Sequence, residues 1–109
     1  MNNSQSFKQK CYALLKFIPE GKVTTYNEIA RALHSKAWRA VGSAMASNKQ
    51  LFTVPCHRVV RSDGAVGQYA LGSGKKIALL LSEGVEISNG KINNLEKFMH
   101  RFSSRQVAS

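Results

Sequence analysis

A nucleophile, a base and a cation stand side by side in the segment 54–60. Cys56, His57 and Arg58 follow one another directly, Pro55 fixes the backbone before the thiol, and apolar residues flank the group. Cysteine is the strongest nucleophile among the common side chains at neutral pH, and a nearby imidazole or cation favours its thiolate form. The segment therefore predicts a reactive thiol at Cys56.

Adjacency alone does not make Cys56 and His57 a catalytic pair. Neighbours in an extended strand point to opposite faces, so a water molecule would have to relay a proton between them. A third group must orient the imidazole and stabilise its charged form. Of the six acidic residues, Glu83 follows the segment at the end of a predicted helix and is the candidate. On these residues alone, a buried structural cysteine beside a surface histidine stays open as the alternative.

The charge balance indicates a polyanionic partner. Sixteen Lys and Arg against six Asp and Glu give this 109-residue chain a net charge of +10. Nucleic acid is the first candidate, and an anionic membrane surface or a merely solubilising surface are the alternatives. No apolar run reaches the roughly 18–20 residues of a membrane span, and the N-terminus lacks the apolar core of a secretory signal. We expect one cytoplasmic domain that acts as a monomer.

Metal and disulfide chemistry are not indicated. Cys11 and Cys56 are the two cysteines, and a reducing cytoplasm favours free thiols. Cys11 falls on an apolar helix face, where packing is the expected role. His34, His57 and His100 are scattered and no C-x-x-C occurs, so we expect no metal site.

The spacing of apolar residues predicts mostly α-structure with short strands. Helices are expected over 6–18, 26–33, 37–47, 75–83 and 95–102. The second of these should begin with a capping box formed by Thr25 and Glu28. The first should present Phe7, Cys11, Leu14, Leu15 and Ile18 on one face, the fourth Ile77, Leu80 and Leu81, and the last Leu95, Phe98, Met99 and Phe102.

Two short strand regions and a helix-turn-helix complete the expected fold. Residues 22–25 read as extended, and 85–92 read as a hairpin with its turn at Asn89 and Gly90. The helices at 26–33 and 37–47 are short and joined by a tight turn, and the domain is basic, which suggests a helix-turn-helix.

The helix at 37–47 is built almost entirely from small residues around one arginine, Arg39. Val41, Ala44 and Met45 share its apolar face. Gly42 within a helix costs about 1 kcal/mol relative to alanine. Either the small residues allow another helix to pack closely, or they allow this helix to lie in a narrow DNA minor groove, about 6 Å wide.

Several segments, in order over about residues 7–87, resemble motifs of the O6-alkylguanine-DNA alkyltransferases, also called methylated-DNA–protein-cysteine methyltransferases. The matching segments are PCHRVV at 55–60 (active-site motif), IPEGKV at 18–23 with Thr25 and Tyr26 (the start of the helix-turn-helix), RAVGSAM at 39–45 (recognition helix), Asn48 (hinge), SDGAVGQY at 62–69 (the loop after the nucleophile) and Glu83 with Gly84. This resemblance implies a winged-helix-like helix-turn-helix domain that repairs double-stranded DNA containing O6-alkylguanine, and possibly O4-alkylthymine.

The resemblance also implies roles for individual residues. Cys56 accepts the alkyl group once, without a cofactor, after His57 takes its proton through water. Glu83 orients His57, and Asn48 supports the turn before the active-site strand. Arg39 fills the gap left by the flipped guanine, and Tyr26 crowds the 3′ phosphate and promotes flipping.

The remaining implied roles concern contacts with DNA and with the flipped base. The DNA-facing residues are expected to be Ala37, Ala40, Ser43 and Ala44, and the alkylguanine pocket is expected to involve Pro55, the backbone of Cys56 and Val59, Tyr69 and Ala70.

The chain departs from the family pattern in two respects. We expect residues 1–109 to form a single domain with flexible ends at 1–5 and 103–109, and without the N-terminal domain usual in the family. This is the length of the alkyltransferase-like proteins, which bind the lesion without repairing it but carry Trp where this chain has Cys56. A non-transferring lesion-binding protein is therefore the alternative function. Ala70 stands where the family often has Ser, so a hydroxyl contact is lost.

Overall fold

The computed structural model describes residues 6–49 and 54–102, and in them the chain is mostly helical with short strands, as predicted. The five α-helices are α1 (Phe7–Leu15), α2 (Tyr26–Ala32), α3 (Trp38–Ala46), α4 (Ser73–Ser82) and α5 (Leu95–Phe98). The strands are β1 (Thr24–Thr25), β2 (Val59–Val60), β3 (Ile87–Ser88) and β4 (Lys91–Ile92), and a 3-10 turn spans Cys56–Arg58. Residues 1–5, 50–53 and 103–109, which include the predicted flexible ends, lie outside the described residues.

Helix α1 begins with a complete capping box and ends earlier than predicted. Ser6 Oγ accepts from the Gln9 amide while Gln9 Oε1 accepts from the Ser6 amide. The helix ends at Leu15 and not at Ile18, because the next amides bond three residues back and Pro19 disfavours helical geometry in the residue before it. Four residues of its predicted apolar face are buried: Cys11, Leu14, Leu15 and Ile18.

Helices α2 and α3 pack against one another as a helix-turn-helix. Thr25 Oγ1 caps α2 by accepting from the Glu28 amide, whereas the Glu28 carboxylate lies 3.4 Å from Arg31. The predicted capping bond from Thr25 is therefore confirmed, and the acidic partner of the box is used in an ion pair. Between the helices His34 adopts a left-handed φ of 55°.

A two-stranded parallel pairing ties the helix-turn-helix to the Cys56 segment. Thr24 pairs with Val59 and Thr25 with Val60. The expectation of an extended strand through Cys56 is wrong: Cys56–Arg58 form a 3-10 turn, closed by the bond from the Arg58 amide to the Pro55 carbonyl, and the strand begins at Val59. Side chains in such a turn do not alternate between two faces.

The C-terminal part differs from the prediction in two places. The hairpin at Asn89 and Gly90 is confirmed as β3 and β4, but the last helix ends at Phe98. The backbone there pairs with Val23 instead: the Val23 amide donates to Phe98 and the His100 amide donates to Val23. Helix α4 buries Leu80 and packs Ile77 against the core as predicted, but Leu81 is half exposed and Lys76 is buried.

Candidate active site and nucleic-acid interface

Cys56 lines a cavity of about 680 Å³. The residue is only 4% exposed, and its amide donates to the Val54 carbonyl at 2.8 Å, which folds the chain tightly just before the thiol. Parts of α2, α3, the 3-10 turn and the loop after β2 surround the cavity. The lining residues are Tyr26, Trp38, Arg39, Gly42, Ser43, Met45, Ala46, Cys56, Arg61, Gly67, Gln68, Tyr69 and Ala70.

His57 and Arg58 both bind Glu83, which caps the end of α4. His57 Nε2 lies 2.9 Å from Glu83 Oε2. Arg58 donates through Nε to Oε1 at 3.0 Å and through its second terminal nitrogen to Oε2 at 2.8 Å, and its other terminal nitrogen donates to the Ile18 carbonyl. Because a carboxylate accepts and does not donate, the Nε2 of His57 carries the proton in this pairing. His57 Nδ1 is then the acceptor; it is buried and has no hydrogen-bond partner among the described residues.

Glu83 is held as a carboxylate by these two neighbours. Burial by itself would raise its pKa, but the hydrogen bonds from Arg58 and His57 favour the charged form and hold the pKa of Glu83 below its ordinary value. A bidentate guanidinium also fixes the carboxylate in one orientation. Sequence reasoning identified Glu83 and His57. It named Arg58 only as a cation beside the thiol and did not pair it with Glu83.

Two tyrosines face the thiol from opposite elements. Burial raises the pKa of Tyr26, the first residue of α2, and the pKa of Tyr69 in the loop after β2; in both cases negative charge at Cys56 raises it further. The Tyr69 ring meets the His57 ring edge-on, with 6.3 Å between centroids. The Tyr69 hydroxyl is buried without a hydrogen-bond partner in the described part of the chain. Both tyrosines are therefore phenols kept protonated beside the cavity.

A buried lysine also belongs to the surroundings of Cys56, and sequence reasoning missed it. Lys76 is 0% exposed, and its Nζ donates to the Gln68 carbonyl at 3.1 Å. Burial lowers the pKa of Lys76 to about 8, and negative charge at Cys56 opposes that shift. The available signal was a lysine at i−4 from Leu80 and i−7 from Glu83, on the side of α4 that the site uses.

Asn48, Pro55 and Val59 support the site from outside the cavity lining. The buried Asn48 side chain donates from Nδ2 to the Val54 carbonyl at 3.0 Å, which links the end of α3 to the residue before Pro55. Pro55 is itself buried. Val59 is fully buried in the core, and its amide donates to the Cys56 carbonyl. The expected contact of Val59 with a flipped base therefore has no counterpart in the lining, whereas Cys56, Tyr69 and Ala70 do line the cavity.

The outer face of α3 is exposed, with one exception to the prediction. Ala37, Arg39, Ala40 and Ser43 are exposed. Ala44 is 5% exposed and lies in the core, where its carbonyl accepts from the Tyr12 hydroxyl, so its assignment to the DNA-facing side is wrong. The reason is the helical period, which places position 44 with Val41 and Met45.

The space around Gly42 bears on why α3 is built from small residues, either to let another helix pack closely or to let α3 enter a DNA minor groove. A Cβ built on Gly42 would meet no atom within 4 Å in the described part of the chain. Close packing of another helix within this domain therefore does not require Gly42. The face of α3 at Gly42 is therefore free to contact an external partner.

The other cysteine is not part of the site. Cys11 is fully buried, and burial raises its pKa to about 11. Both cysteines are free. Among residues 6–49 and 54–102, no three His, Cys, Asp or Glu side chains lie close enough together to hold a metal ion, and no helix in these ranges is long and apolar enough to cross a membrane.

Residues 6–85 match the family described as the 6-O-methylguanine DNA methyltransferase, DNA binding domain, and the chain belongs to that family. It is 44% identical over 94 residues to a bifunctional methyltransferase/endonuclease of Picrophilus torridus, covering 85% of this chain and 32% of the relative. The chain thus spans about a third of that relative's length. The resemblance inferred from the motifs is therefore confirmed.

Solved structures confirm the helix-turn-helix type of fold. S. pombe Atl1, in complex with damaged DNA containing O6-carboxymethylguanine, superposes with a TM-score of 0.76 at 36% identity, covering 87% of this chain and 94% of Atl1. The O6-methylguanine-DNA methyltransferase of Pyrococcus kodakaraensis superposes with a TM-score of 0.68 at 45% identity, covering 74% of this chain and 47% of that enzyme.

Proposed function

We propose that this protein repairs double-stranded DNA by transferring the alkyl group of O6-alkylguanine to Cys56 in a single turnover. The observation that carries the proposal is that Cys56 lines an open cavity next to His57, whose Nε2 is bound to the Glu83 carboxylate that Arg58 holds. The family and the two superposed structures support the substrate class.

The exposed face of α3 is the proposed contact with the DNA minor groove. Ala40 and Ser43 present small side chains, Gly42 presents none, and Arg39 projects from the start of the helix. The net charge of +10 attracts phosphates without reading sequence, which suits a lesion that can occur anywhere. Ala37, just before α3, belongs to the same contact.

Nucleotide flipping is needed because α3 is proposed to bind the minor groove, whereas the O6 group of a stacked guanine faces the major groove. Rotating the guanine out of the stack costs a few kcal/mol. Arg39 lines the cavity mouth and is placed to fill the vacated position, which offsets part of that cost. Tyr26, which lines the same cavity, crowds the phosphate of the rotating nucleotide and can donate its phenolic proton to the base.

The transfer is a displacement at the alkyl carbon. The Cys56 thiol gives its proton through a water molecule to His57 Nδ1, and Glu83 stabilises the imidazolium that forms. The thiolate then forms the S–C bond as the C–O6 bond breaks, and guanine leaves with the electron pair. Tyr26 donates a proton to the departing guanine, and the proton that His57 took from the thiol returns through water to Tyr26, so both side chains end in their starting forms. The product thioether is stable, so the protein acts once and needs no cofactor.

Lys76 adds a positive charge near the thiolate in this scheme. Its ammonium group and the Cys56 thiolate attract each other across a region with little water, where the attraction is stronger than at the surface. Asn48 holds the Val54 carbonyl, to which the Cys56 amide is bonded, and so keeps the thiol in place.

Lesion binding without transfer is the second candidate. The superposition with S. pombe Atl1 covers nearly the whole of both chains, which favours it. Cys56 and its partners favour transfer. The two are separated by incubating the protein with a duplex that contains O6-methylguanine and analysing the nucleosides: restoration of guanine up to one equivalent per protein supports transfer, and tight binding with the lesion intact supports Atl1-like behaviour.

A further inference from the structure

A second, smaller cavity lies beside the first. Its volume is about 290 Å³, and it is lined by Tyr26, Asn27, Trp38, Arg61 and Ser62. Tyr26, Trp38 and Arg61 also line the cavity that contains Cys56, so the two spaces share a wall. We call the smaller space the side cavity. A strand of DNA that places one base over Cys56 must pass close to it.

Trp38 is an unusual residue for this wall. It is the first residue of α3 and the chain's single tryptophan, yet 49% of it is exposed. One turn further along the same helix face stands Gly42, which has no side chain to cover the indole ring. The guanidinium of Arg39 lies 5.1 Å from the ring centroid, in cation–π range. A large flat apolar surface is therefore held open on a strongly basic domain.

Aromatic rings on a basic surface are the feature with which proteins hold unstacked bases. Any base can stack on such a ring, and the phosphates bind neighbouring cations. The side cavity combines the two. Trp38 offers the ring, and the exposed guanidinium of Arg61, which lies 3.8 Å from the exposed carboxylate of Asp63, offers a phosphate contact. Asn27 and Ser62 add hydrogen-bonding groups at its edge.

We propose that the side cavity is a base-stacking subsite, in which Trp38 stacks on the nucleobase next to the flipped guanine while Arg61 contacts the phosphate between the two nucleotides. This proposal rests on the proposed function for the position of the guanine. Trp38 and Arg39 then have different tasks on α3. Arg39 replaces the flipped base within a duplex, whereas Trp38 takes hold of the neighbouring base.

This division makes a specific demand on the substrate. In single-stranded DNA there is no gap in a duplex for Arg39 to fill, and neighbouring bases unstack easily. Binding of a single strand should then depend more on Trp38 than binding of a duplex does. The reverse should hold for Arg39.

The experiment measures DNA binding and does not require alkyl transfer. Tryptophan fluorescence is recorded while unmodified single-stranded and duplex oligonucleotides are titrated into the protein, and affinities are measured by anisotropy for Trp38→Ala, Trp38→Phe and Phe17→Ala. Phe17 is the matched control, because it is 46% exposed and lines neither cavity. We expect strong quenching of Trp38. We also expect a loss of affinity for single strands of about tenfold in Trp38→Ala, a smaller loss for duplex, and near wild-type affinity in Trp38→Phe and Phe17→Ala.

Two results would overturn the subsite. One is unchanged Trp38 fluorescence at saturating DNA, and the other is an affinity of Trp38→Ala equal to that of Phe17→Ala for both forms of DNA. Failure of the proposed reaction looks different: guanine is not restored, but quenching and the loss of affinity in Trp38→Ala persist, which supports the subsite.

Discussion

Arg58 grips both carboxylate oxygens of Glu83, with its Nε 3.0 Å from Oε1 and a terminal nitrogen 2.8 Å from Oε2. The same carboxylate binds His57 Nε2 at 2.9 Å. The residue after the histidine therefore fixes the acid that orients the histidine. Three functional side chains are locked together by one short turn of backbone and the end of α4.

Replacing Arg58 with lysine should weaken both folding and reactivity. Lysine is a point donor and cannot hold two carboxylate oxygens in one plane. We expect a loss of about 1–3 kcal/mol in the free energy of unfolding, measured by urea denaturation, together with slower alkyl transfer. Arg101→Lys is the matched control, because Arg101 also binds both oxygens of one carboxylate, that of Glu96, through its two terminal nitrogens and in an exposed position. An equal effect of the two substitutions would contradict a special role for the Arg58–Glu83 contact.

Glu83→Gln should slow alkyl transfer and make the free energy of unfolding less dependent on pH in the acidic range. The transfer rate should fall about 100-fold, because the imidazolium of His57 loses its partner, while DNA affinity stays unchanged. The pKa of Glu83 is lowered in the folded protein, so its carboxylate stabilises the fold above its ordinary value of 4.5, and this contribution is lost as the pH falls through the lowered pKa. The stability difference between wild type and variant should therefore be largest near neutral pH and vanish in acid. A difference that stays constant with pH would refute the ionised contact.

Lys76→Met should stabilise the fold while slowing the reaction. The folded pKa of Lys76 is about 8, below the ordinary 10.5, so between these values the unfolded chain binds a proton that the folded chain does not. Wild-type stability relative to Lys76→Met should therefore rise as the pH increases from 8 to 10.5. Comparing the two proteins cancels the contribution of Cys11, which also titrates in alkali. Thermal unfolding at several pH values tests this, and a rate of transfer unaffected by the substitution would remove Lys76 from the site.

Arg39→Ala should distinguish flipping from chemistry. The variant should lose about tenfold or more in the rate on duplex DNA, because the vacated position in the stack is left unfilled. The free base O6-benzylguanine needs no flipping, so its rate of reaction with Cys56 should hardly change. Reactions with each substrate, quenched at a series of times, measure the two rates. Equal losses on both would place Arg39 in the chemistry or in folding.

Much of the site could be predicted from short segments of the sequence. The run from Pro55 to Val60, the capping threonine before Tyr26 and the glycine after Glu83 are each read from neighbours in the chain. Their joint resemblance to one family then predicted that they form one active site. The structure brings Cys56, Tyr26 and Tyr69 to one cavity and joins His57 to Glu83.

What the sequence could not supply depends on contacts between distant segments. Lys76 reads as a solvated lysine until the Gln68 carbonyl and the thiol are placed around it. The last helix reads as continuous to Phe102 because its apolar period continues, but pairing with Val23 ends it at Phe98. Trp38 and the side cavity exist only where α2, α3 and the loop after β2 meet.

The central claim is that Cys56 itself accepts the alkyl group. Intact-mass spectrometry after incubation with DNA containing O6-methylguanine tests it most directly, with peptide mapping to locate the change and Cys56→Ser as control. The expected result is a gain of one methyl group, in exchange for the thiol hydrogen, on Cys56 of the wild type and none on the variant. Tight binding of the lesion with no change in the mass of the wild-type protein would contradict the claim.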